Sequence, residues 1–154
     1  MDTASITLRW TSLAQMDEIA ATCSVLWQPP AVVLLEGDLG AGKTTLVQAV
    51  LQKWGIQDRI KSPTFDLVHI YQMMHTTIYH VDLYRIAEAS ELMVLDLPSP
   101  VTLEVLLVEW GHWLRDGYPE RFECQLTRQV DDARHMVITA FGQEPLKRLK
   151  GVGR

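Results

Sequence analysis

Apolar positions along the chain predict strands of two kinds. Ile6 to Trp10 alternates apolar and polar residues, which is the pattern of a strand with one face in solvent. Ala31 to Leu35 is an uninterrupted apolar run, and Leu103 to Trp110 is largely apolar; such segments are typical of strands buried on both faces of a sheet. The sequence therefore predicts a sheet with covered central strands.

Helical spacing of apolar residues predicts two helices beside these strands. The first follows Ser12, which with Gln15 resembles a capping box, and ends before Pro29-Pro30. The second runs from Lys43 to Trp54, and Gly55 stands where a helix-ending glycine belongs.

The remaining segments complete an α/β pattern. Phe65 to Tyr71 and Thr77 to Tyr84 have the spacing of a hairpin, and Phe122 to Gln129 pairs with His135 to Phe141. Ser90 to Leu97 is a short helix candidate. We therefore expect one α/β domain over residues 1–154, a P-loop NTPase-like fold whose mixed sheet is flanked by helices.

Composition narrows the class of protein. Of 154 residues, 47% are apolar and 21% charged, as in globular proteins, and no apolar run approaches the ~20 residues of a membrane helix. With no signal-peptide pattern and with Cys23 and Cys124 in apolar segments, we expect a cytoplasmic protein with two reduced core thiols. A net charge of -5 disfavours unaided nucleic-acid binding, and the basic residues at about 145–154 are the candidate for a disordered tail.

The strongest chemical signal is the segment Gly37 to Thr44, which fits the phosphate-loop pattern G-x-x-x-x-G-K-[ST] between a buried strand and a helix. Its glycines allow backbone N–H groups to converge on a phosphate at a helix N-terminus. Lys43 is expected to bridge the β- and γ-phosphates, and the Thr44 hydroxyl to bind Mg²⁺. The predicted nucleotide-binding residues of this loop are Asp38, Leu39, Gly40, Ala41, Gly42, Lys43, Thr44 and Thr45.

Two carboxylates end predicted strands, where ligands of open α/β sheets bind. Either Asp82 or Glu109 could hold Mg²⁺ while the other orients the attacking water. Thr64, in the turn Lys61-Ser62-Pro63-Thr64, is a candidate γ-phosphate sensor acting through the metal. His80 shares a strand face with Asp82, so it either orients that carboxylate or is a packed core histidine.

The nucleotide is expected to be ATP. Trp110 follows Glu109 directly and could offer an aromatic face to a purine base. The chain contains no Asn-Lys-x-Asp, the guanine-reading motif of GTPases, and this favours ATP over GTP.

Four segments in this order resemble the TsaE (YjeE) family, the bacterial ATPases of tRNA threonylcarbamoyladenosine biosynthesis. They are Gly37 to Thr45, Lys61 to Thr64, Tyr79 to Arg85 and Val108 to Trp110, within residues 8 to 113. After Trp113 no motif of the family is found.

The resemblance implies an ATPase that acts with a TsaB–TsaD pair, and that meets tRNA only through this complex. The TsaB–TsaD pair transfers a threonylcarbamoyl group to the adenosine beside the anticodon. The ATPase resets this transferase between turnovers. By motif, Lys43 and Thr44 would hold phosphate and metal, and Thr64 would be the switch threonine. The carboxylates would be Asp82 and Glu109, and Trp110 the base-stacking aromatic.

Two other functions fit the same loop. A small-molecule kinase would need an arginine-rich lid, for which Arg115, Arg121 and Arg128 are the candidates. A binding module could use nucleotide only to order a partner surface. Because no cation beyond Lys43 stands in an obvious place to neutralise transition-state charge, and Arg85 is merely the nearest in sequence, slow intrinsic hydrolysis is expected.

Overall fold

All seven described strands pair into one mixed sheet. The computed structural model describes residues 2–56, 67–73, 75–98 and 104–152. The strands are β1 (Thr3–Trp10), β2 (Ala31–Glu36), β3 (Val68–Met73), β4 (Thr76–Asp82), β5 (Val105–Glu109), β6 (Arg121–Arg128) and β7 (Arg134–Phe141). The α-helices are α1 (Leu13–Leu26), α2 (Lys43–Lys53) and α3 (Gln143–Val152), and 3₁₀ helices span Ala89–Val94 and Gly111–Gly117. Within these residues no helix is long and apolar enough to cross a membrane.

The strand order is β1-β7-β6-β2-β5-β4-β3. The central strands β6, β2, β5 and β4 run parallel, whereas β3, β7 and β1 add antiparallel edges. This confirms the predicted α/β class, its mixed sheet and both predicted hairpins. The carboxyl ends of β2, β5 and β4 therefore meet at one edge of the sheet, where the functional segments leave it.

The two faces of the sheet carry different cores. The three α-helices cover one face, where Val33, Leu35 and Leu107 are buried against them, while Leu34, Leu106 and Val108 point to a smaller core beneath the 3₁₀ helices. Strands β2 and β5 are covered on both faces, which explains their apolar sequences.

The start of α1 differs in detail from the capping box. Ser12 Oγ accepts the Gln15 N–H at 3.1 Å, as predicted. The Gln15 side chain, however, accepts from the Thr11 N–H at 2.7 Å rather than from Ser12. The carboxamide thus caps the chain one residue earlier.

The short helix predicted at Ser90 to Leu97 is present as the 3₁₀ helix Ala89–Val94. None of its residues is fully buried, and Leu92 packs partly buried against the smaller core. The core thiols are confirmed, since Cys23 and Cys124 are both buried and unpaired, and burial raises the pKa of each.

The prediction of a disordered tail from about residue 145 is wrong as far as Val152. Residues 143–152 form α3, whose Leu149 is 2% exposed in the main core. Arg148 donates to the Gln28 carbonyl at 2.6 Å, and the Glu144 N–H donates to the Glu120 carboxylate at 3.1 Å. The segment is an amphipathic helix. Its basic residues suggested a solvated tail, but its apolar side lies on β1 and β7.

Leu149→Ala is expected to destabilise the protein by about 2–4 kcal/mol, because it removes a buried side chain from a core that cannot fully collapse. Leu13→Ala is the matched control: Leu13 is 78% exposed, and its loss should change stability by no more than about 0.5 kcal/mol. Urea unfolding measures both. Equal small effects would show that α3 is not docked on the sheet in solution.

Candidate functional site

The glycine-rich loop leaves β2 and turns directly into α2. Gly37 has φ 147°, and a Cβ there would lie 2.5 Å from the Leu126 carbonyl oxygen, so both conformation and space require glycine. Gly42, with φ 104°, precedes Lys43, the first residue of α2, and its carbonyl accepts the Leu46 N–H at 2.9 Å. The loop therefore presents a helix N-terminus at the carboxyl edge of the sheet, as the sequence predicted.

Lys43 is folded back on its own loop. Its ammonium donates to the Gly37 carbonyl and, at 3.2 Å, to the Asp38 carbonyl. The indole ring of Trp110 lies 4.2 Å from the same nitrogen. Burial lowers the pKa of Lys43, and the nearby carboxylates of Glu109 and Asp82 oppose that shift. The cation is thus held by neutral carbonyls and a ring, which are interactions that an anion could replace.

Glu109 is a buried carboxylate, and each of its two oxygens has a hydrogen-bond partner. It ends β5 and is 3% exposed. The Thr44 hydroxyl donates to its Oε1 at 2.5 Å, and His80 Nε2 lies 2.6 Å from its Oε2. The first turn of α2 and the strands β4 and β5 are therefore joined through one side chain.

Asp82 is the register partner of Glu109 on β4, but its surroundings differ. It is half-buried, and its Oδ1 accepts the Tyr84 N–H at 3.0 Å. Burial raises the pKa of Asp82, and the Glu109 charge raises it further. Of the two alternatives for His80, the packed core histidine is confirmed: the residue is 0% exposed, and its imidazole bonds to Glu109 rather than to Asp82. The two carboxylates therefore have different environments, whereas the sequence alone gave no means of telling them apart.

The loop after β5 sets the position of Trp110. Trp110 has a left-handed backbone with φ 58°, and its N–H donates to the Leu35 carbonyl at 2.8 Å. The Glu36 carboxylate accepts the His112 N–H at 2.5 Å, and the Trp110 ring lies 5.2 Å from the Tyr84 ring. These contacts hold the indole over the phosphate loop.

The predicted loop, carboxylate and aromatic residues come together around a cleft of about 320 Å³. Its lining residues are Leu39, Gly40, Gly42, Lys43, Thr44, Thr45, Asp82, Tyr84, Glu109, Trp110 and Arg134. Asp38 and Ala41 belong to the same loop without lining this cleft, and the Ala41 N–H donates to the Asp38 carbonyl at 3.0 Å. Thr64 lies outside the described residues. Within those residues no cluster of three or more His, Cys, Asp or Glu side chains could hold a metal ion.

Arg134 and Tyr84 are the two lining residues of this cleft that were not predicted as site residues. Arg134 is the charged one of the two. It begins β7, and its guanidinium donates to the Asp132 carbonyl at 2.8 Å and to the Asp132 carboxylate at 3.3 Å. It lines both this cleft and a neighbouring one of about 420 Å³. The second cleft is lined by Trp10, Thr11, Ser12, Leu13, Met16, Gly42, Thr45, Asp132 and Arg134. No local sequence signal could have found Arg134, because its place depends on β6 lying parallel beside β2, which brings the turn of the last hairpin to the carboxyl edge.

This fold and loop define a P-loop NTPase-like α/β protein. The sequence model described as "Threonylcarbamoyl adenosine biosynthesis protein TsaE" matches residues 10–136. The chain belongs to the TsaE family.

Individual relatives agree with this assignment. The chain is 36% identical over 138 residues to the Bacillus subtilis protein named "tRNA threonylcarbamoyladenosine biosynthesis protein TsaE", covering 88% of this chain and 87% of that protein. It is 39% identical over 110 residues to the Haemophilus influenzae protein of the same name, covering 71% and 70%. The crystal structure of Bacillus subtilis YdiB matches with a TM-score of 0.76 at 27% identity, over 100% of this chain and 97% of that one.

Asp82→Asn is expected to raise the melting temperature of the protein at pH 7, in the absence of nucleotide and metal. The folded state raises the pKa of this carboxyl, so its ionised form opposes folding at pH values above the unfolded pKa. The amide keeps the Oδ1 acceptor for Tyr84 without the charge.

The gain should shrink as pH falls toward the unfolded pKa of about 4, where the wild-type carboxyl is increasingly protonated in both states. Calorimetric scans at pH 4 and pH 7 measure the difference. A loss of stability at pH 7 would contradict the inferred environment of Asp82.

Proposed function

We propose that this chain binds and hydrolyses ATP, in the cytoplasm, as the nucleotide-driven component of tRNA threonylcarbamoyladenosine biosynthesis. The observation that carries the proposal is the phosphate loop with Lys43 beside the paired Thr44 and Glu109, in a chain of the TsaE family. Backbone amides at the start of α2 would bind the phosphates, and Lys43 would exchange its loop carbonyls for phosphate oxygens.

The residues present also fit Mg²⁺. The Thr44 hydroxyl and Glu109 carboxylate, 2.5 Å apart, are hard oxygen donors, and magnesium in nucleotide sites is usually held by one or two such groups plus phosphates. When bound there, Mg²⁺ would neutralise developing charge on the phosphate oxygens. Thr64 is proposed as the metal-associated switch residue on its motif alone.

We assign the two carboxylates different tasks. Glu109 is buried and engaged with Thr44, which suits the metal side. Asp82 lines the cleft with a raised pKa, and this suits a group that orients the attacking water and accepts its proton.

Trp110 is proposed to stack on the adenine. Its ring covers the Lys43 ammonium, so stacking on adenine would require the indole to move away from this cation. Arg134, on the other side of the loop from β4, adds a cation for the nucleotide that the sequence did not reveal.

The proposed partner is a TsaB–TsaD-like complex, which would also hold the tRNA, since a net charge of -5 disfavours unaided tRNA binding. Leu39 and Tyr84 are exposed at the rim of the cleft, where apolar side chains suit a protein surface that closes over the nucleotide. Slow intrinsic hydrolysis, accelerated by this partner, remains the expectation.

The arginines that a small-molecule kinase would need as a lid do not lie at the cleft. Arg115 and Arg121 both pair with Glu123, at 2.9 and 2.6 Å, and Arg128 pairs with Asp132 at 2.7 Å. None of these arginines is among the residues that line the cleft at the phosphate loop. The observations therefore favour hydrolysis over transfer to a small acceptor.

Lys43→Ala is expected to lose most ATP affinity and all hydrolysis, because among the described residues no other lysine lines the cleft to balance the phosphate charge. In a multiple-turnover assay with purified TsaB–TsaD-like proteins and tRNA, modification should stop after the first turnover when this variant replaces the wild type. The readouts are ATP affinity by calorimetry, and modified adenosine against phosphate released.

Lys53→Ala is the matched control, since Lys53 lies at the end of α2 and pairs with Asp17 at 2.8 Å. Modification that cycles equally well without the protein, or with Lys43→Ala, would contradict the pathway role. Wild-type ATP affinity in Lys43→Ala would contradict the phosphate-binding site itself.

Arg134→Ala is expected to weaken ATP binding by roughly 1.5–3 kcal/mol, the range of hydrogen bonds to charged groups. The control is Arg9→Ala, which removes an exposed arginine paired with Asp131 at 3.0 Å outside both clefts. Equal affinities for the two variants would show that Arg134 does not contact the nucleotide.

The same titration tests whether the Trp110 ring stacks on adenine or only covers Lys43. Stacking on adenine predicts that Trp110→Ala weakens ATP and ADP alike by roughly 1–3 kcal/mol and that Trp110→Phe keeps most of the affinity. Tighter binding by Trp110→Ala would instead mean that the indole only covers Lys43.

A further inference from the structure

His80 is a buried polar residue with a single described polar contact. It lies on β4, is 0% exposed, and its Nε2 is 2.6 Å from Glu109 Oε2. Its Nδ1 is also buried and has no hydrogen-bond partner among the described residues. The hydrogen-bonding capacity of this imidazole is therefore directed at one acceptor.

Packing alone does not explain an imidazole here. Two of the neighbouring positions on the same face, Ile78 along β4 and Leu107 across on β5, are fully buried and apolar. An apolar side chain would continue that surface without an unsatisfied nitrogen, which carries a desolvation cost when buried. The compensating interaction is the bond to Glu109.

That bond fixes which way the Glu109 carboxylate faces. Its Oε1 accepts from Thr44 at the start of α2, while its Oε2 points into the sheet toward His80. Without a donor at Oε2, a carboxylate that is 3% exposed would have a buried unpaired oxygen and would turn to satisfy it. Turning the carboxylate would also break the contact with Thr44.

We propose that His80 is a positioning residue, which locks the Glu109 carboxylate in the orientation needed for Mg²⁺-dependent nucleotide binding. The inference rests on the proposed ATP function. It concerns a residue that touches neither nucleotide nor metal and acts through Glu109, in the way that partners behind metal ligands commonly do.

The test compares two substitutions of nearly equal size. His80→Gln keeps an N–H donor at about the reach of Nε2, whereas His80→Met has similar length and no donor. His75→Gln controls for losing a histidine on the same hairpin, because His75 is exposed in the β3–β4 turn. ATP binding is measured by calorimetry across a Mg²⁺ titration, and again with Mg²⁺ chelated.

His80→Met should need roughly 10–100-fold more Mg²⁺ for half-maximal enhancement of ATP binding, the usual loss for such partners. His80→Gln and His75→Gln should stay near the wild type, and binding without Mg²⁺ should be unchanged in all. An unchanged Mg²⁺ requirement in His80→Met overturns the inference. Should that variant not fold, His80→Asn replaces it, because its amide is one methylene too short to reach Glu109.

A metal-free measurement checks the same coupling. The effects of His80→Met and Glu109→Gln on urea unfolding should be non-additive, because the two side chains share one bond, and additive effects overturn the inference. Failure of the proposed function looks different: the wild type itself would then bind no ATP, or bind it without regard to Mg²⁺, and the positioning role would fall with it.

Discussion

The burial of Glu109 is the constraint on which the arrangement of the site depends. A carboxylate that ends a strand covered on both faces has almost no access to water, so its charge must be satisfied by neighbouring side chains. The Thr44 hydroxyl and the His80 imidazole do this from opposite sides. The helix after the phosphate loop and the strand β4 are thereby fixed relative to β5 by polar contacts within an apolar core.

At the same edge of the sheet, the Lys43 ammonium is bound by groups of the protein itself. Its ammonium is bound by the Gly37 and Asp38 carbonyls and covered by the Trp110 ring. A nucleotide would have to replace these contacts, so part of its binding free energy is spent on releasing the lysine. The carboxylates of the site and the Lys43 ammonium are therefore all held by contacts within the protein.

Close packing at this edge of the sheet restricts which residues the loops can contain. A Cβ at Gly111 would lie 2.8 Å from the Leu34 side chain, so the chain can pass beneath β2 only with glycine there. Glu36 then holds the next residue, His112, through its backbone N–H. These contacts bring Trp110 and the phosphate loop together although 67 positions separate Trp110 from Lys43 in the sequence.

Features that depend on local pattern could be predicted from the amino-acid sequence. The phosphate loop, the buried strands and the two carboxylates at strand ends were all predictable, because glycine spacing and apolar runs encode backbone conformation and burial directly. Three features could not be predicted in this way: His80 bonds to Glu109 rather than to Asp82, Arg134 lines the cleft, and α3 packs on the sheet. Each of these depends on strand register and on which elements neighbour one another, which arise from packing across the whole sheet and have no local sequence period.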